Sequence, residues 1–211
     1  MPQPLTRDTM PAAEAHLRAA CPVMDRLIAD HGRCPLADTP RDPFETLATS
    51  IICQQLSAKA AATIEGRVRA LLPDFGPASL AVADPDALRG AGLSGAKARY
   101  VTGLAQRVLD GRLPLDGLGA LDDEQALALV TSVPGIGRWT AEMFLIFCLH
   151  RPDVLALGDA GLQRSARLLF GDEVDLAAAG ERWRPFRSVA SWYLWRHLEP
   201  PSPQPPDARQ T

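Results

Sequence analysis

Asp159 and Trp139 lie twenty residues apart, and each stands at the start of a stretch that reads as a helix. Asp159 sits in VLALGDAGLQRSA, after an apolar approach of Val154, Leu155, Ala156 and Leu157. An aspartate there is a favoured helix N-cap, and the positive end of the helix dipole keeps its carboxylate ionised. An ionised carboxylate in a pocket can stabilise a developing sugar cation and orient a water. Trp139 follows the turn Val133-Pro134-Gly135-Ile136-Gly137. Gly135 and Gly137 permit positive φ and leave the backbone uncovered. Ile136 can anchor the tip, and a helix beginning at Gly137 aims free N–H groups outward, which suits a phosphate oxygen. Such a site binds an anion without any lysine. Taken singly, a plain N-cap and a simple helix-helix corner account for the two stretches as well.

Two further groups of residues carry chemistry. All four tryptophans (139, 183, 192 and 195) fall in the second half of the chain, interleaved with Phe144, Phe147 and Tyr193. Most belong to a core, but one or two could stack on a base, and a cationic base adds cation–π attraction. The stretch ICQQLS, residues 52 to 57, puts two glutamines and a leucine between apolar helices. It reads either as a polar helix junction or as a wedge that fills the gap left in a duplex by an extruded nucleotide.

The elements that must position these groups read as helices nearly throughout. Pro22 opens one that stops at Gly32, and Asp42-Pro43 opens one containing FETLATSIICQQ. Ser57 caps AKAAATIEGRVRALL, Asp84-Pro85 opens DALRG, and Ser94 caps GAKARYVTGLAQRVLDG, where Val101, Leu104, Ala105 and Val108 recur at helical spacing. Asp122 caps DEQALALVTS, RWTAEMFLIFCLH follows the glycine turn, and Asp159 begins GLQRSARLLF. Gly180 precedes a last helix through Trp183 to about Leu198. No period-2 pattern extends beyond a few residues, so the fold class is all-α, with roughly eight to ten short helices. Residues 1 to 11 read as loose, and the tail from 199 to 211, with five of the nineteen prolines, reads as disordered.

The hydrophobic fraction of 46% supports a sizeable core in 211 residues without disulfides. Cys21, Cys34, Cys53 and Cys148 form no CxxC pair, which argues against structural zinc or an iron–sulfur cluster and for buried free thiols. Neither a signal segment nor an eighteen-residue apolar run is present, so the expected location is cytoplasmic, with no membrane partner. The net charge of −3 counts against a partner held by bulk electrostatics alone, DNA included.

In order along residues 44 to 195, FETLATSIICQQLSAKAA, GLSGAKARYVTGLA, VPGIGRWTAEMF, GDAGLQRSA and WRPFRSVASWYLW resemble the helix-hairpin-helix (HhH-GPD) DNA glycosylases. Within that superfamily the match is to the alkylation branch, 3-methyladenine DNA glycosylase II. The resemblance implies an all-α domain over residues 12–198, in two helical subdomains, with the hairpin motif at about 122–149 and the active site in the cleft between them. It implies a catalytic role for Asp159, and a base pocket of Trp139, Trp195 and Met143. Gln55 matches the intercalating position, while Leu56 is the more natural apolar wedge, and the register stays open by one. Pro134, Gly135, Ile136, Gly137 and Thr140 would hold the DNA backbone, and the carbonyls of Thr131, Val133 and Ile136 would hold a structural Na+ or K+; no other cofactor is implied.

Trp139 stands where the bifunctional glycosylase/lyases carry a lysine nucleophile, and an indole cannot form a Schiff base. The implied activity is therefore monofunctional: after base flipping, hydrolysis of the N-glycosidic bond of 3-methyladenine, 7-methylguanine and related alkylated purines, leaving an abasic site for base excision repair. The implied partner is double-stranded DNA containing alkylated bases, met by a monomer that is nucleoid-associated when bound. A glycosylase for other damaged or mismatched bases and a non-catalytic hairpin module are the alternatives. Two departures stand out. Residues 1 to 42 do not read as the β-rich N-terminal domain of larger family members, which implies a more open pocket. The C-terminal four-cysteine cluster of the endonuclease III and adenine-mismatch branches is also absent.

Overall fold

The computed structural model describes residues 3–199, so the expected disordered tail lies, from residue 200, outside the described residues. Among those described the fold is all-α, with no strand. In chain order the helices are α1 (Met10–Ala20), α2 (Pro22–His31), α3 (Pro43–Cys53), α4 (Ala58–Leu71), α5 (Pro77–Ala81), α6 (Pro85–Gly90), α7 (Gly95–Leu109), α8 (Asp123–Thr131), α9 (Arg138–Phe147), α10 (Ala160–Phe170), α11 (Leu176–Glu181) and α12 (Arg187–His197). A single 3-10 turn, Leu115–Ala120, precedes α8.

Local chemistry explains most of the starts. Asp42, Ser57, Asp84, Ser94, Asp122, Asp159 and Asp175 each accept a hydrogen bond from a first-turn amide. Such a cap is worth about 1 kcal/mol against alanine. Asp122 and Gln125 complete a reciprocal capping box at α8.

The sequence expectation needs three corrections. Among the described residues twelve helices exceed the eight to ten expected: α1 falls where no helix was read, and α5 and α11 are too short to show a helical period. The last helix does not run from Gly180: that glycine lies inside α11, Trp183 is in the following turn, and α12 begins at Arg187. Pro185, which lacks an N–H and forces its predecessor out of helical geometry, separates the two. The start of the chain is not loose through residue 11, since Leu5 and Met10 are buried and the Leu5 amide donates to the His150 carbonyl at 2.7 Å.

The helices pack as two sets. One is continuous, with α3 at its centre against α4, α7 and α9, α7 against α5 and α6, and α8 against α9. The other joins both ends of the chain, with α12 against α1, α2 and α10. Tyr193, fully buried on α12, bonds Glu14 of α1 at 2.8 Å. One apolar cluster, from Leu5 to Leu194, runs through both sets. The crossing segment between α9 and α10 is pinned on both sides. Arg151, 2% exposed, donates to the carbonyls of Leu118 and Leu121, and Arg187 of α12 makes a bidentate pair with Asp153 at 2.7 and 3.0 Å. Ser188 accepts from the Val154 amide at 3.0 Å. These bonds fix the approach to Asp159.

Candidate active site and nucleic-acid interface

Asp159 caps α10 and is 8% exposed. Its Oδ1 accepts from the Leu162 amide at 2.7 Å and from Trp195 Nε1 at 2.9 Å. Its Oδ2 accepts from Trp139 Nε1 at 2.7 Å. Trp139 comes from the first helix set and Trp195 from the second, so the carboxylate sits where the two sets meet, held from both. Burial pushes its pKa up, but the bonds from Trp195, the Leu162 amide, Trp139 and the Gly161 amide outweigh burial and hold it below the usual carboxylate range.

This geometry adds something that the aromatic count did not reveal. Both indoles are turned by the hydrogen bonds they donate, so each presents a fixed ring beside the carboxylate. Trp139 is 52% exposed. Trp195 is half-buried, with Phe147 packed at 5.6 Å and 30° between rings. Phe147 in turn lines a shallow pocket with Pro35, Leu36, Thr39, Arg41 and Trp192. Met143 is partly buried and packs on the core from α9. Of the other tryptophans, Trp183 is fully buried, and Trp192 is half-buried, edge-on to Tyr193.

Two residues at this site escaped the sequence reading. Phe147 looked like one more core aromatic in an apolar run. Gly161 leaves room for the clamp: a Cβ there would stand 3.0 Å from Asp159 Oδ1 and 3.2 Å from Trp195 Cδ1.

The hairpin joins α8 to α9. Ile136 and Val133 are buried and anchor it, while Pro134 and Gly137 are exposed. Gly135 has φ of +91°, and a Cβ there would come within 2.5 Å of the Tyr100 ring, so only glycine fits. The N-cap of α9 is Gly137, which has no side chain to cap with, so the amides of the first turn are left for an outside acceptor. Thr140 is 9% exposed, and its amide belongs to that open turn. The Val133 carbonyl accepts from the Ile136 amide at 3.0 Å, which leaves it one lone pair; Thr131 is half-buried at the end of α8.

The turn between α3 and α4 stands beside the hairpin. Gln55 is exposed at its tip, in the left-handed region with φ of +59°, while Leu56 is half-buried. The residue before them is the surprise. Gln54 Nε2 donates to the Gly135 carbonyl at 2.9 Å, tying this turn to the hairpin across 81 residues of sequence. No local pattern signals such a bond.

Comparison with known proteins agrees with this geometry. Residues 48–182 match the family model described as HhH-GPD superfamily base excision DNA repair protein. A DNA-3-methyladenine glycosidase from Bacillus halodurans superposes with a TM-score of 0.80 at 38% identity, over 87% of this chain and 88% of that one. The Schizosaccharomyces pombe 3-methyladenine DNA glycosylase in complex with abasic DNA gives a TM-score of 0.73 at 29% identity, over 88% and 95% of the two chains. DNA-3-methyladenine glycosylase 2 of Escherichia coli is 34% identical over 165 residues, which are 73% of this chain and 57% of that protein. With a glycine hairpin, an aspartate twenty residues beyond its tryptophan and a matching all-α frame, this chain belongs to the HhH-GPD superfamily of base excision DNA repair proteins.

Proposed function

We propose that this chain is a monofunctional DNA glycosylase that removes alkylated purines, such as 3-methyladenine and 7-methylguanine, from duplex DNA and leaves an abasic site. The observation that carries the reading is the clamped carboxylate: Asp159 accepts two indole N–H bonds and two amide bonds, and no amine touches it. The chain has two lysines, Lys59 and Lys97, and neither is among its partners. A Schiff-base route needs a lysine amine at the sugar, so water is the acceptor. The names of the Bacillus halodurans and Escherichia coli relatives, and the abasic DNA bound to the Schizosaccharomyces pombe enzyme, support both the DNA substrate and the alkylated base.

A carboxylate held below its usual pKa is a weak base but a durable anion. Its role is therefore electrostatic: it stabilises the oxocarbenium-like sugar as the glycosidic bond lengthens. A purine alkylated at N3 or N7 is cationic and leaves without a strong acid. The exposed Trp139, with Met143 one turn along α9 and Trp195 on the same carboxylate, supports stacking of the extruded base. Extrusion costs a few kcal/mol. Gln55, exposed at the tip of its turn in a left-handed conformation, is the better candidate than half-buried Leu56 for filling the gap. The amides at Gly137 and beyond, beside exposed Pro134 and half-buried Gly135, suit a phosphate, so one backbone group can be gripped despite the net charge of −3. The carbonyls of Thr131, Val133 and Ile136 are neutral oxygen donors of the kind that Na+ or K+ takes, and an ion held there would stiffen the hairpin. The protein acts as a monomer.

An excision panel tests the reading. Duplexes carrying 3-methyladenine, 7-methylguanine, ethenoadenine, hypoxanthine or an oxidised pyrimidine are incubated with the protein and released base is measured. Release of the alkylated purines is expected, and release confined to the oxidised pyrimidine contradicts it.

A further inference from the structure

We infer that Lys97 and Gln54 form a strut that sets the height of the Gln55 turn relative to the hairpin, and that both act as positioning residues for base extrusion. The inference rests on the glycosylase reading above and extends it to residues that touch neither base nor phosphate.

Lys97 lies in the first turn of α7, half-buried, and its ammonium donates to two backbone carbonyls at the end of α3, Ile52 at 2.8 Å and Gln54 at 2.6 Å. Those carbonyls belong to the negative end of the α3 dipole, where a cation is favoured. An ordinary helix C-cap would need nothing more. Three further facts place this one in a larger frame. The capped residue, Gln54, directly precedes Gln55, whose φ of +59° is an uncommon conformation that its surroundings must hold. The Gln54 side chain then crosses to the Gly135 carbonyl at 2.9 Å. Tyr100, one turn along α7 from Lys97, lies under Gly135, so close that a Cβ on that glycine would reach 2.5 Å from its ring.

The start of α7 therefore supports both surface turns at once: the α3–α4 turn through Lys97 and the hairpin through Tyr100, with Gln54 as the cross-tie. A wedge fills a gap in the duplex only if it stands at a fixed depth when the phosphates are gripped. Relaxing the strut lets the turn retreat while the hairpin and Asp159 keep their places. Burial lowers the Lys97 pKa, consistent with its removal from bulk water, and its bonds to carbonyls rather than to a carboxylate leave no ion pair to explain its place.

The test compares Lys97→Met and Gln54→Leu with wild type on two duplexes, one with 7-methylguanine opposite cytosine and one with it opposite an abasic analogue. Removal of the pairing partner lowers the extrusion cost, so a defect in the wedge should matter little there. On the paired duplex, base release should slow about tenfold, against about twofold opposite the abasic analogue. Lys97→Met combined with Gln55→Ala should be no slower than Gln55→Ala alone, because both remove the same contribution. Lys97→Arg, which can still donate to the two carbonyls, should recover most of the rate. Equal slowing on both duplexes, or additive losses in the double variant, would overturn the strut. If Lys97→Met lowers the melting temperature too far to assay, Gln54→Leu carries the same comparison. A second readout does not depend on base release: 2-aminopurine paired with thymine brightens when the turn unstacks it. Wild type should raise its emission and the strut variants should not; an equal rise overturns the inference. Absence of base release by wild type on both duplexes would instead refute the glycosylase reading, with the fluorescence still judging the strut.

Discussion

The starts of α9 and α10, at Arg138 and Ala160, use one physical feature in opposite ways. Each helix presents unpaired amides and the positive end of its dipole. At α10 that end is filled by the chain's own anion: Asp159, buried, bonded to the Leu162 amide and clamped by two indoles. At α9 it is left open, because the N-cap is an exposed glycine with no side chain to supply an acceptor. Even the neighbouring Arg138 is turned away from a free role, paired with Glu142 at 2.9 Å. The contrast teaches that an acidic chain can carry both halves of a DNA-processing surface without a lysine cluster. In the proposed function, one helix start holds a resident carboxylate for chemistry, and the other is left for a visiting phosphate.

The comparison can be broken at either helix. The largest effect is expected from Asp159→Asn, which keeps an oxygen for the Leu162 amide but turns an NH2 toward the Trp139 N–H and removes the charge. Single-turnover base release should fall about a thousandfold, while affinity for an abasic-analogue duplex changes little. Gly137→Asp makes the start of α9 resemble that of α10. A Cβ at Gly137 meets nothing within 4 Å, so the fold accepts it, and a cap here should raise stability by about 0.5 kcal/mol in thermal melts. The same change should weaken binding to every DNA sequence about tenfold and reduce the salt dependence of binding by about one phosphate contact.

A smaller effect sharpens the α10 side. Trp195→Phe removes the donor that contributes most to lowering the Asp159 pKa. The carboxylate of wild type, depressed below its usual range, stays ionised as pH falls, and its rate should hold from pH 8 down to about 5. In Trp195→Phe the acid limb should move to higher pH, with a loss of about fivefold at pH 7 in the same assay. The smallest expected effect is that of Gly161→Ala, which presses a methyl against Asp159 Oδ1 at 3.0 Å and should slow release about twofold without changing DNA affinity. A Gly161→Ala variant as inactive as Asp159→Asn would mean that the clamp tolerates no shift.

Much of this was legible in the sequence because it is local. Caps at Asp42, Ser57, Asp84, Ser94, Asp122 and Asp159 are short-range bonds, and each helix they start is in place. The order of motifs identified the family before any geometry. What escaped is nonlocal. The indole bonds that join Trp139 and Trp195 to one carboxylate span 20 and 36 residues, and the Gln54 bond to the hairpin spans 81. Nothing in periodicity encodes such pairings. The packed start of the chain was misread for the same reason: Leu5 is buried by partners from distant segments, His150 among them. Short α5 and α11 fall below the length at which a helical period can be seen.

The most direct measurement follows one duplex carrying a single 7-methylguanine, assayed in parallel for free base and for strand breaks, with borohydride present to trap any covalent intermediate. An ionised, clamped Asp159 with no amine beside it predicts free base, an intact strand until alkali is added, and no trapped adduct. Strand cleavage without alkali, or a trapped protein–DNA adduct, would contradict the account.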